Sequence, residues 1–213
     1  MRVDASVLPL SAVEFNAALV AAPPTVRGMR SSKALIVCAV AGILLTVGVV
    51  VRLPLAGAGT VPVVVPTGPM EVGRTSYTYV RNDAITRNGI EVRTLETLFW
   101  YPVSNGAPAP GLHPLVMFSH GIDGDPKNYD ALLSSLAAAG FVVAAPYFPK
   151  TRVGVYTEAN FSDVEYQAED VSFVMGWMLA GVGPMMGRVH PEHIAVIGHS
   201  AGGNTTLGVL SDS

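Results

Sequence analysis

The sequence predicts an α/β fold: a doubly wound, mostly parallel sheet with an antiparallel start. Three observations predict it. The apolar runs "PLVMFSHG", "FVVAAPYFP" and "HIAVIGHS" have strand length and are separated by segments of helical spacing. Strands apolar on both sides belong in parallel sheets whose two faces are covered by helices. Ahead of them, "SYTYV" and "IEVRTLETLFWYP" are β-branched and aromatic, bounded by "RND" and "RNG" turns, which is the pattern of an antiparallel pair. The last apolar run passes directly into "AGGNTTLGVL", small residues that open a helix.

Taken in order, residues 1–33 lack a long periodic pattern. "VEFNAALVAAPP" fits a short helix stopped by Pro23 and Pro24. This region is read as a cytoplasmic tail or as an over-called start. Half of the residues are hydrophobic and only 14% are charged, with a mean hydropathy of +0.42, which directs attention to the run "ALIVCAVAGILLTVGVVV" at 34–51. It carries no charge, and its length lies at the lower end of the roughly 17 to 25 residues that cross a bilayer as a helix. Arg27, Arg30 and Lys33 precede it and only Arg52 closely follows, a bias that keeps the N-terminus in the cytoplasm and carries the rest across. Two fates stay open. The run is a retained membrane anchor, or, with translation starting at Met29, the core of a signal peptide cleaved near Ala56 and Ala58 in "LAGA". Cys38 lies inside the run and has no second cysteine to pair with.

Residues 52–71 are rich in Gly and Pro and read as a linker; the folded domain is expected from 72 to 213. In "NYDALLSSLAAAG" the helical spacing ends at Gly140, the position after a helix C-cap. A polar excursion follows from Lys150 to Ser162. "DVEYQAEDVSFVMGWMLAGV" then reads as an amphipathic helix with Val164, Ala168, Val171, Val174 or Met175, and Met178 on one face. Asp163, Glu165, Glu169 and Asp170 are expected near its N-terminus, where negative charge complements the helix dipole. Trp100, Trp177 and the methionines near Met175 are expected in the core.

Gly198-His199-Ser200-Ala201-Gly202 satisfies G-x-S-x-G, with an aliphatic strand before it and a helix opening after it. In such a turn the serine takes a strained backbone conformation that lifts its hydroxyl out of the sheet, and Gly198 and Gly202 allow the strand and helix to approach. "FSHGIDGD" follows the buried strand "PLVMF" where the other half of an oxyanion hole is placed in such folds. The N–H groups of Ile122 and Ala201 are the candidate donors. Each such donor stabilises developing negative charge by roughly 3 kcal/mol.

"LFWYPV", "PLVMFSHGIDG", "NYDALLSSLAAAGFVVAAPYFP" and "RVHPEHIAVIGHSAGG" together resemble the branch of the α/β-hydrolases that includes platelet-activating-factor acetylhydrolase-like, chlorophyllase-like and cutinase-like polyester-cleaving enzymes. The resemblance covers about residues 72–213. It implies a carboxylic ester hydrolase acting through an acyl-Ser200 intermediate on a small-molecule, lipid or polyester-like ester. It also implies that His199, next to the nucleophile, is structural.

Such a serine needs a base, and in this fold the acid and then the histidine follow it along the chain. After Ser200 the sequence holds one carboxylate, Asp212, and no histidine. His113, His120, His190, His193 and His199 all stand at or before the elbow; His120 is the least remote substitute, and its usual role is to brace the oxyanion turn. No triad acid or base is assigned. The expectation is an inactive chain, truncated after the elbow, whose last strand "IAVIG" is left as an open apolar edge. A membrane-tethered non-catalytic interaction protein, or half of a two-chain enzyme, stays open beside it.

Other chemistries find no footing. There is no C-x-x-C, H-E-x-x-H or carboxylate cluster for a metal, and no Walker or dinucleotide fingerprint, so no cofactor is expected. "GIDGDPKNYD" lacks the spacing of a calcium loop and is expected to be solvated. A net charge of -3 offers no basic surface for nucleic acid.

Overall fold

Two-residue alternation along "PLVMFS" sends Leu115 and Met117 to one face of a strand and Val116 and Phe118 to the other, and all four are buried. The computed structural model describes residues 66–211, together with the backbone of 35–39 and 48–52. Strands β1 (Leu35–Ala39) and β2 (Gly48–Arg52) are followed by the long hairpin β3 (Glu71–Thr86) and β4 (Gly89–Ser104), then by β5 (Ala107–Pro108) and β6 (His113–Ser119). A 3-10 turn (Pro126–Tyr129) leads into α1 (Asp130–Ala138) and β7 (Val142–Pro146). A second 3-10 segment (Glu158–Tyr166) leads into α2 (Gln167–Leu179), β8 (Val189–Gly198) and α3 (Ala201–Ser211).

The sheet order is β1-β2-β8-β6-β7-β4-β3, with β5 on β4. The central strands β8, β6 and β7 are parallel, with Met117 facing Val196 on one side and Ala144 on the other. β3 and β4 form the expected antiparallel start. "RND" is not a turn, however: the strand runs through it with a register shift between Arg81 and Ala84, and the chain reverses only at Arg87-Asn88. One core layer holds Leu115, Met117, Val142, Ala144 and Val196 with Val171, Val174 and Met178 of α2. The other holds Val116, Phe118, Val143, Ala145 and Ile197 with Leu133 and Ala137 of α1. Both faces are therefore covered, and the expected α/β-hydrolase architecture is present.

Local signals account for the ends of these elements. Gly140, at φ 98, lets α1 close with Gly140 N–H on Ala137 O at 2.9 Å and Phe141 N–H on Leu136 O at 3.2 Å, the paired bonds of a left-handed helix stop. α2 begins later than its apolar spacing suggested, because residues 158–166 are wound as 3-10. Its inward face is Ala168, Val171, Val174 and Met178, with Val164 only half-buried. Trp100 is buried, while Trp177 is half-buried against the α2 layer.

The apolar run at 34–51 departs from expectation. Its two ends are strands that pair antiparallel, Leu35 opposite Arg52, and β2 in turn pairs with β8, placing Val49 opposite Ile197 and Val51 opposite Ala195. A single helix over the run is thereby corrected, as is the open edge expected for "IAVIG". Among the described residues no helix is long and apolar enough to cross a membrane. The physical reason is that valine and isoleucine suit a pleated strand as well as they suit a bilayer, and the edge of β8 offers unpaired backbone groups. Residues 1–33, the Gly- and Pro-rich stretch at 53–65 with the proposed cleavage site, and Asp212 lie outside the described residues.

The four acidic residues assigned to a helix N-terminus separate into two kinds. Glu165 and Glu169 are exposed and meet Arg87 and Arg81. Asp163 and Asp170 are buried around Arg93, itself 1% exposed. Arg93 donates from Nη1 to Asp163 Oδ1 at 2.7 Å and from Nη2 to Asp170 Oδ2 at 2.6 Å. Burial alone would lower the Arg93 pKa, but these hydrogen bonds outweigh it and hold the guanidinium charged. Burial pushes Asp170 up against the pull of Arg93. With both its oxygens taken by donors of Arg93, the ionised form of Asp170 is the one the geometry fits.

Candidate active site

Ser200 sits where β8 ends and α3 begins, exposed, with φ 54. That left-handed conformation costs an L-residue about 1 to 2 kcal/mol. Three bonds hold it: His199 N–H to Ser119 O at 3.1 Å, Gly202 N–H to His199 O at 2.9 Å, and Gly203 N–H to Ser200 O at 2.8 Å. The flanking glycines are required by contact. A Cβ on Gly198 would lie 2.1 Å from Gly202 O, and one on Gly202 would lie 2.1 Å from Ser119 O.

The turn after β6 packs directly on this elbow, because a Cβ on Gly121 would be 3.1 Å from that of Ser200. Gly124 N–H closes the turn onto Gly121 O at 3.1 Å, and Asp123 adopts φ 50. Among the described residues neither Ile122 N–H nor Ala201 N–H has an acceptor. Both are thus free to receive an anionic oxygen. The acidic residues of this turn are not simply solvated, as the sequence suggested. Asp123 accepts Gly154 N–H at 3.2 Å. Asp125 accepts the Tyr147 hydroxyl at 2.5 Å and Lys127 N–H at 2.9 Å. Burial would raise the Asp125 pKa, yet these donors bring it below the ordinary value.

His120 braces the turn from beneath. Its Nε2 accepts Phe148 N–H at 3.2 Å, so Nδ1 carries the proton and donates to Gly121 O at 2.7 Å. With both nitrogens on the backbone, it is not a substitute base for Ser200. Burial is the main effect lowering its pKa, only partly offset by Gly121 O. The folded state therefore binds this proton less readily than the unfolded chain, whose histidines titrate near about 6.5. The stability tied to His120 is complete above that pH and is lost as the pH falls below it. His120→Gln should shrink the gap in unfolding free energy between pH 7.5 and pH 5, by at most about 1.4 kcal/mol per pH unit. Urea titrations at both pH values check this, and an unchanged gap would refute it.

The other histidines are also engaged or distant. His113 reaches Gly140 O at 2.9 Å and Ala109 O at 3.3 Å. His190 accepts Glu192 N–H at 3.2 Å and stacks on His193, with ring centroids 4.0 Å apart. His193 lies midway along β8, roughly 16 Å of strand before its end at Gly198. His199 Nδ1 meets the Tyr129 hydroxyl at 2.8 Å. Among the described residues the Ser200 hydroxyl has no hydrogen-bond partner, and no group of three or more potential metal ligands is present.

Sequence reasoning missed Tyr129 and a buried chain behind the site, in which Thr205 Oγ1 donates to Gln167 Oε1 at 2.7 Å and Gln167 Nε2 donates to Thr151 Oγ1 at 2.6 Å. It ties α3, α2 and the loop after β7 together. Gln167 offered one signal, as a polar residue beside the apolar stripe of α2. A cleft of about 470 Å³ lies on the same side, between Phe161, Arg87 and Asn204, and Ser200 does not line it.

The pattern that defines the chlorophyllase family matches residues 84–211. No curated protein matches the sequence. Among solved structures, the ferulic acid esterase from Streptomyces cinnamoneus is 25% identical, with a TM-score of 0.55, over 71% of this chain and 58% of that one. This chain thus spans little more than half of that enzyme. A bacterial brefeldin A esterase is 18% identical over 55% of this chain and 31% of that one, with a TM-score of 0.36. A dienelactone hydrolase from Klebsiella pneumoniae subsp. pneumoniae is 16% identical over 58% of this chain and 48% of that one, with a TM-score of 0.40. At those scores neither bears on the chemistry.

Proposed function

This chain belongs to the chlorophyllase family, a family of hydrolases, and from that premise we propose that it carries the nucleophile and oxyanion hole of a serine-dependent carboxylic ester hydrolase. Ser200 Oγ attacks the ester carbonyl, Ile122 N–H and Ala201 N–H receive the oxyanion, and the alcohol leaves to give an acyl-Ser200 intermediate. The substrate class is a small-molecule, lipid or polyester-like ester. One observation carries the reading: an exposed serine at φ 54 with the Gly121 turn against it and two backbone donors without acceptors. A buried turn with only a structural role would satisfy those donors.

The proton is the weak point. No histidine of the chain is directed at Ser200, and a positioned base contributes roughly 10²- to 10⁴-fold. We therefore expect the isolated 213-residue chain to react very slowly with a fluorophosphonate. Free imidazole should accelerate the labelling about 10²-fold or more: the Ser200 Oγ–P bond forms, fluoride leaves, and imidazole takes the proton. Ser200→Ala should abolish it. Fast labelling without imidazole would overturn the claim that the base is missing, and no labelling with it would overturn the nucleophile.

A second reading rests on the same five histidines, each engaged elsewhere or distant from Ser200: a non-catalytic interaction protein, or one half of an enzyme whose base comes from another polypeptide. Activity restored only in a mixed complex distinguishes the latter. A location outside the cytoplasm rests on the sequence alone, on Arg27, Arg30 and Lys33 ahead of the apolar run, and the strands at 35–39 and 48–52 add nothing to it. Sequencing the N-terminus of protein recovered from the cell envelope and from the medium tests it.

A further inference from the structure

The Tyr129 side chain stands between the two halves of the oxyanion hole. It closes the 3-10 turn that precedes α1, and its ring packs on Phe118, with centroids 4.6 Å apart. Its hydroxyl is 2.8 Å from His199 Nδ1. The His199 imidazole lies in turn against the opposite loop, since a Cβ on Gly121 would be 3.3 Å from His199 Nδ1 and from His199 O. Burial raises the Tyr129 pKa, offset only in part by the backbone at Gly121. A phenol has one proton to give, and among the described residues His199 Nδ1 is the partner of the Tyr129 hydroxyl.

We propose that Tyr129 is a positioning residue: by donating to His199, whose ring lies against Gly121, one phenol fixes the residue before Ser200 relative to the residue before Ile122, and so sets the separation of the two oxyanion donors. The inference rests on the reading of Ile122 and Ala201 as those donors. The two loops otherwise meet through His199 N–H on Ser119 O and through close contact at Gly121 and Gly202, while the 121–124 turn is held on its other side by His120, by Gly154 N–H on Asp123 and by Val153 N–H on Gly124 O. A displacement of about 1 Å at such a site lowers a rate by up to about 10²-fold.

The proposal carries a His199 tautomer with it. Nδ1 is the acceptor, so Nε2 carries the proton.

Two measurements on the full chain test the proposal. In the first, ¹⁵N shifts of the His199 ring should report a single Nε2–H tautomer in the wild type and a mixture in Tyr129→Phe. A mixture or the Nδ1–H form in the wild type, or no change in the variant, would overturn it. In the second, imidazole-assisted fluorophosphonate labelling of Ser200 should fall about 10-fold or more in Tyr129→Phe. His199→Leu should lose as much, and His199→Gln, whose side-chain oxygen can still accept the phenol, should recover most of the rate. Equal rates in wild type and Tyr129→Phe would overturn the proposal. Should Tyr129→Phe fail to fold, the contrast between His199→Leu and His199→Gln decides instead. If the wild type takes no label even with imidazole, the nucleophile reading fails, and the tautomer measurement alone judges Tyr129.

Discussion

Arg93→Met should destabilise the protein by about 3 to 5 kcal/mol, the cost of leaving buried charge without its partner. The effect is large because Asp163 and Asp170 are 3% and 0% exposed and lose the donors on Arg93 that neutralise them. Arg81 cannot take its place. Its Nη1 reaches Asp170 Oδ1 only at 3.4 Å, and its other end is engaged with Glu169. The loss should also depend on pH in a defined sense. Stranded carboxylates have folded-state pKa values above those of the unfolded chain, so the variant regains stability as the pH falls and they become neutral. Replacing Arg93, Asp163 and Asp170 together by apolar residues of similar size should recover most of the loss, since a whole buried cluster is often exchanged at little cost. Chemical denaturation at pH 7 and pH 4.5 measures all of this. A single variant as stable as the wild type at pH 7 would mean that the cluster is not the closed ion network described.

Gly202→Ala should be nearly as damaging, and by a different mechanism. The added methyl would sit 2.1 Å from Ser119 O and 2.8 Å from His120 O. Both are backbone atoms at the end of β6, and no side chain can swing aside. Overpacking of this kind costs typically 1 to 3 kcal/mol and occasionally more; with backbone on the far side, the upper end, about 3 kcal/mol, is expected. Because the same shift would separate Ala201 from the Gly121 turn, imidazole-assisted labelling of Ser200 should fall with it. Gly176→Ala supplies the contrast. It lies within α2 with nothing within 4 Å of its Cβ position, and the exchange should raise stability by up to about 1 kcal/mol through helix propensity. Thermal unfolding of the pair decides the matter, and similar melting points for both variants would contradict the packing described.

The elbow could be read from the sequence because its causes are local. Gly198 meets Gly202 within one strand, one turn and one helix, so spacing alone carries that contact, although the strand that Gly202 itself packs on, at Ser119, is remote in sequence. Ile122 is nearly as local, following its buried strand by a few residues. Arg93 is different. Its partners lie 70 and 77 residues further along the chain, and Asp163 and Asp170 on their own look like ordinary helix-start charges. One clue was present. Arg93 shares strand parity with Leu95, Thr97 and Phe99, all buried, so the two-residue period of β4 already directs a guanidinium inward. The apolar run at 34–51 shows the opposite failure: hydrophobicity alone cannot choose between a bilayer and a sheet edge, because both accept valine. Tyr129 could not have been found without the fold, since only the pairing of β6 with β8 brings its ring to His199.

The turn at Ser200 carries one more implication. Glycine is indifferent to the sign of φ, and asparagine tolerates the left-handed region better than most residues. A hairpin bend that needed only its shape could be made from either with less strain. This chain instead holds a hydroxyl-bearing residue in the left-handed region at Ser200, and the fold is a little less stable for it. An outlier of that kind supports the proposed role of Ser200.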